Sequence, residues 1–108
     1  MLYKDLYKML LLSKGEGYKQ MGVYSGFRRH SAMLMDEVFT NLQDAWPDRK
    51  LSKEVGYIKA GHTFIYFLEL KEESVVSYNW DAAYIDTASC LNCNNAPALE
   101  RQIEARLN

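Results

Sequence analysis

Basic residues are in no excess in this sequence: 13 Lys and Arg stand against 14 Asp and Glu, a net charge of −1. Proteins that grip nucleic acid usually present a clear positive surplus to its phosphates, so the balance argues against such a partner. The chain is not acidic enough to imitate a phosphate backbone either. Long apolar runs are missing too. The amino-terminal run, Met9 to Leu12, falls short of a signal-peptide core and of the about 20 residues of a membrane span. Two cysteines beside five methionines fit a reducing compartment. The expectation is a cytoplasmic protein with no membrane partner. A glycine-rich phosphate loop is absent: Gly15-Glu16-Gly17 lacks the third glycine and a preceding strand, which counts against nucleotide enzymes. Repeats, low-complexity tracts and linkers are absent as well.

What is present is a foldable core. Hydrophobic residues make up 48% of 108 and charged residues 25%, which places the chain among globular proteins. A chain of this length hides roughly two thirds of its unfolded surface on folding. That suffices for a core without metals or disulfides and leaves little room for a deep cleft. The expectation is one compact α+β domain over residues 1–108.

Apolar spacing predicts the elements. Leu2, Leu6 and Leu10 lie four apart and predict an amphipathic helix from Leu2 to Ser13, stopped at Gly15 and Gly17. Tyr18 to Gly26 reads as a short strand or an ordered loop. Ser25 has the chemistry of an N-cap for a long helix from about Phe27 to Trp46, ended by Pro47. Val55 to Lys59 and Thr63 to Leu70 read as strands joined at Ala60-Gly61-His62. The second is apolar on both faces and is expected at the sheet centre. Ser74 to Trp80 alternates like a third strand, and Ala82 to Ile85 reads as a further short one. Pro97 opens a last helix carrying Leu99, Ile103 and Leu107. The order α-α-β-β-β-α, with hairpin-length turns, predicts a small antiparallel sheet of three to four strands with helices packed on it.

Candidates for chemistry are few. Cys90 and Cys93 form a C-x-x-C pair, the spacing of a shared metal or a strained disulfide. A structural zinc needs four ligands, and His30 and His62 match no zinc spacing. Two ordinary loop cysteines are the plainer reading, so no cofactor is expected. A zinc- or thiol-dependent module at this pair is retained as an alternative. Arg28 and Arg29 open the long helix at its positive end, where cations are disfavoured, and two guanidiniums there can clamp a carboxylate or phosphate. His62 beside Thr63 and His30 beside Ser31 form no recognisable nucleophile–base set, and no enzyme is expected.

Eight tyrosines and two tryptophans carry the most weight. Tyrosine offers a large contact area, two torsions and a polar tip, and it is enriched at protein interfaces together with tryptophan and arginine. The competing reading is that tyrosines finish the edges of a small core. Tyr3, Tyr7 and Tyr66 suit that role. Tyr18, Tyr24, Tyr57, Tyr78 and Tyr84 are harder to place inside so small a protein. With Arg28 and Arg29 they are the expected partner-binding residues, centred on Tyr18, Tyr24, Arg28 and Arg29 at the entry to the long helix. The expected function is a protein-binding module that acts as a stoichiometric inhibitor or modulator, of the phage anti-defence or toxin-immunity type. A small homodimeric regulatory protein is a further alternative.

Overall fold

The computed structural model describes residues 1–90 and 95–107. The chain opens with β1 (Leu2–Tyr3), α1 (Leu6–Glu16), β2 (Gln20–Ser25) and α2 (Arg28–Ala45). Three strands follow, β3 (Leu51–Lys53), β4 (Tyr57–Ala60) and β5 (Thr63–Glu69). The last elements are α3 (Glu72–Val76), β6 (Ala82–Ile85) and α4 (Ala96–Ala105). All six strands join one sheet in the order β1-β6-β2-β5-β4-β3.

The α+β class holds, but the expected small antiparallel sheet is corrected to a mixed one of six strands. β1, β6, β2 and β5 run parallel, and only β5-β4-β3 is antiparallel. The physical reason is connection length. Hairpin-length turns join β3, β4 and β5, whereas each other pair is bridged by a helix, and a helical crossover returns the chain parallel.

Crossover handedness then sorts the helices. The steps β1-α1-β2 and β2-α2-β3 travel one way across the sheet, and β5-α3-β6 travels back. Right-handed crossovers put α1 and α2 on one face and α3 on the other, and the buried side chains divide accordingly. Leu6, Met9 and Leu10 of α1 and Val38 and Leu42 of α2 pack with Met21, Val23, Ile58, Ile65 and Phe67. Val75 of α3 and Leu99 and Ile103 of α4 pack with Tyr24, Trp80, Ala83 and Ile85. Along β5, Ile65 and Phe67 serve the first cluster while Tyr66 and Leu68 pack against the second. This is the period-two alternation of a strand with apolar side chains on both faces, fully buried on the α1/α2 side and half-buried on the other. Truncating a fully buried member such as Ile65 to alanine costs about 2–5 kcal/mol.

Three local expectations are corrected. The first helix begins at Leu6, because Leu2 and Tyr3 pair with Ala83 and Tyr84, and the Asp5 carboxylate accepts the Lys8 N–H at 3.2 Å as its cap. Ser25 ends β2 and does not cap α2. Its hydroxyl is hydrogen-bonded to that of Ser31, and the N-cap position belongs to Phe27. Ser74 to Trp80 is not a strand. Glu72 and Glu73 favour the positive start of a short helix, and the Ser74 hydroxyl donates to the Glu69 and Lys71 carbonyls. Among the described residues, no helix is long and apolar enough to cross a membrane.

Candidate functional site

Two regions concentrate functional side chains. The first is the carboxyl end of the parallel strands. There α2 leaves β2 on one face while α3 and α4 leave β5 and β6 on the other, and parallel α/β sheets bind ligands in the crevice such a reversal opens. Here the β6 side of that crevice is filled from within, while a cavity of about 560 Å³ stays open beside β5, lined by Arg28, Ser31, Leu68, Glu69, Lys71 and Ser74. The turn after β6 lies on the start of α2: the Gly26 N–H donates to Ser89 Oγ at 2.9 Å, and Ser89 Oγ donates to the Asp86 carbonyl at 3.0 Å. The approach is so close that a Cβ on Gly26 would stand 1.9 Å from the Ser89 carbonyl oxygen. His30 Nε2 meets Asp86 Oδ2 at 2.5 Å, with side chains 30% and 18% exposed, and the Phe27 ring lies 5.4 Å from the imidazole. Ser31 Oγ donates to the Leu68 carbonyl at 3.0 Å. His30, Asp86 and Ser89 thus hold the turn to α2, and the Ser31 hydroxyl ties α2 to β5. Sequence reasoning missed Asp86 and Ser89. Their signal was position, directly after a strand that ends beside α2.

The second region is the outer half of the α3/α4 face of the sheet. Its anchor is Trp80, whose indole lies flat on Gly22. The Trp80 Nε1–H donates to the Tyr24 hydroxyl at 3.0 Å, and that hydroxyl donates to the Ser74 carbonyl at 2.8 Å. Rings then spread outward across the strands. Tyr78 stacks on Trp80 at 4.8 Å and 11°. Tyr66 lies 5.5 Å from Trp80 and 5.6 Å from Tyr78. Tyr57 lies 5.3 Å from Tyr66 and 5.9 Å from Phe64. Register explains the row: Tyr57 faces Tyr66 and Lys59 faces Phe64 across the β4–β5 pair, and cross-strand partners share a face. Lys59 Nζ sits 5.6 Å over the Phe64 ring. α2 is the helix in main contact with β3 and β4, and it lies on the other side of the sheet. Trp80 is buried, whereas Tyr57, Phe64, Tyr66 and Tyr78 are half-buried.

The expected partner-binding residues therefore divide. Tyr57 and Tyr78 belong to this ring row, with Phe64 and Tyr66 of β5. Tyr24 is corrected to a core residue: it is fully buried, and burial pushes its hydroxyl up to about 12. Tyr18 is half-buried at the other end of β2, its hydroxyl 2.8 Å from that of Tyr3, and burial and that bond push it up to about 12. Six strand residues, about 20 Å of extended chain, separate it from the start of α2. The expected patch of Tyr18, Tyr24, Arg28 and Arg29 does not assemble. Arg28 and Arg29 are exposed on the first turn of α2. Tyr84 is half-buried, its hydroxyl raised by burial, and it lines a cavity of about 770 Å³ with Tyr3, Lys4 and Glu100. Cys90 is buried among Leu99 and Ile85, and Cys93 lies outside the described residues. Among the described residues, no three His, Cys, Asp or Glu side chains gather as metal ligands. Compared with known protein families, curated proteins and solved structures, the chain matches none.

Proposed function

We propose that this protein is a small binding module that grips a larger protein through the half-open aromatic face of its sheet and acts as a stoichiometric inhibitor or modulator of that target. The observation that carries the proposal is the mutual contact of Tyr57, Phe64, Tyr66 and Tyr78, half-buried on the outer half of a sheet face. Interface centres are depleted in charge and rich in aromatic rings, and binding energy concentrates on tryptophan, tyrosine and arginine. Rings already braced by neighbours lose little torsional freedom when a partner lands on them. The mechanism is steric. Apolar groups of the target lie across the rings, tyrosine hydroxyls hydrogen-bond at the rim, and the Lys59 ammonium meets a carboxylate.

The test is affinity measurement against the captured partner with Tyr57→Ala, Tyr78→Ala and Lys59→Glu chains, and Arg101→Glu on exposed α4 as control. The two alanine variants are expected to weaken binding at least about thirtyfold, a hot-spot loss. Lys59→Glu should weaken it less, and the control not at all. Unchanged affinity in both alanine variants would remove the aromatic face from the account.

A further inference from the structure

The opposite face of the molecule carries an apolar groove between its first two helices. Tyr7, Leu10 and Leu11 of α1 and Asn41, Leu42 and Ala45 of α2 line it, enclosing about 350 Å³. One end is tied by Asn41 Nδ2, which donates to the Tyr7 hydroxyl at 2.6 Å. Beside the groove stands a ridge formed by Leu11, which is 62% exposed. A ridge next to a groove of matching apolar character is the form of a self-complementary surface, in which each copy supplies both halves.

The charges around it agree. α1 presents Lys14, and α2 presents Glu37 and Asp44, all exposed. None of the three makes an ion pair within the chain among the described residues. Helical spacing puts Lys14 three residues beyond Leu11 and puts Glu37 and Asp44 on the Asn41 side of α2. The two walls of the groove thus carry opposite sign. A two-fold arrangement that seats Leu11 of one copy in the groove of the other brings Lys14 of each α1 to the acids of its neighbour's α2.

We infer that a second copy of this chain occupies the groove, forming a two-fold dimer through α1 and α2. Size sets its strength. Two helices side by side, the longer about 27 Å, offer a face of roughly 500 Å². Stable interfaces use about 800 Å² per partner, so the dimer is weak and concentration-dependent. It lies across the sheet from the aromatic rings and leaves them accessible, so a dimer offers two copies of the proposed contact face.

Sedimentation equilibrium of the purified chain from about 10 µM to about 1 mM tests the inference, because association by mass action must grow with concentration. The expected result is a mass rising toward that of a dimer. Leu11→Glu should abolish the rise and leave the thermal midpoint unchanged. Lys14→Glu should weaken association several-fold, and adding Asp44→Lys should restore it by reversing the pair. A chain that stays monomeric throughout would overturn the inference, as would a dimer that survives Leu11→Glu. A dimer lost in Tyr57→Ala but kept in Leu11→Glu would place the second copy on the aromatic face and overturn it too.

Discussion

The indole of Trp80 rests on Gly22, so closely that a Cβ at that glycine would stand 2.5 Å from Trp80 Cε2. The missing side chain on β2 is what lets the ring lie against the sheet, and Tyr78 and Tyr66 build outward from it. Gly22→Ala must push the indole off its seat. Overpacking of this kind costs about 1–3 kcal/mol. A denaturant midpoint should fall accordingly, with a shift in tryptophan emission as Trp80 becomes more exposed. Retained stability and emission would show that the ring can settle elsewhere.

Tyr24 links that ring to α3, accepting from Trp80 Nε1 and donating to the Ser74 carbonyl. Tyr24→Phe leaves both groups unpaired in the interior, at a cost of about 1–3 kcal/mol. The same burial makes stability sensitive to alkali. The hydroxyl ionises near 10.0 in the unfolded chain and near about 12 when folded. Its contribution is fully present below pH 10 and is lost as pH rises through the folded value, because the unfolded chain gives up its proton first. A rise from 10.0 to about 12 corresponds to a loss on the order of 3 kcal/mol. Urea midpoints between pH 9 and pH 12 should decline, and Tyr24→Phe should decline less steeply from its lower start. Tyr18 contributes in the same direction, since its hydroxyl is also raised to about 12.

At the carboxyl end of the strands, the His30–Asp86 contact holds the turn after β6 on α2. Both side chains are partly exposed, so the pair is worth about 0.5–1 kcal/mol. His30→Ala should leave the global midpoint nearly unchanged and speed amide hydrogen exchange at Gly26, whose N–H is held by Ser89. Gly26→Ala differs in kind. Its Cβ would stand 1.9 Å from a backbone oxygen, so the turn must move, and the midpoint should fall sharply.

Much of this architecture was legible where its causes are local. Leu6 and Leu10 reported one face of α1, Pro47 marked the end of α2, and the unbroken apolar run Phe64–Leu68 reported a strand. What escaped was non-local. Leu2 shares the spacing of Leu6 and Leu10 but belongs to a strand, because its partner, Ala83, is remote in sequence. Val76, Tyr78 and Trp80 alternate like a strand, yet they carry the chain from a short helix to the ring seat on Gly22. Parallel pairing was missed because helix–strand alternation was broken by the β3-β4-β5 hairpins. The ring row was legible in part: Tyr57 and Tyr78 were expected at the surface. Phe64 and Tyr66 were not, because a strand apolar on both faces does not reveal that one cover stops halfway across the sheet.

The most direct test of the binding account is site-specific photocrosslinking in the native host, with p-benzoylphenylalanine at position 57 in one chain and at position 101, on exposed α4, in another. A discrete protein adduct from position 57, absent from position 101 and lost on adding Tyr78→Ala, is the predicted result. Equal adducts from both positions, no adduct from position 57, or crosslinks to RNA in place of protein would contradict the claim that the aromatic face is where this protein meets its partner.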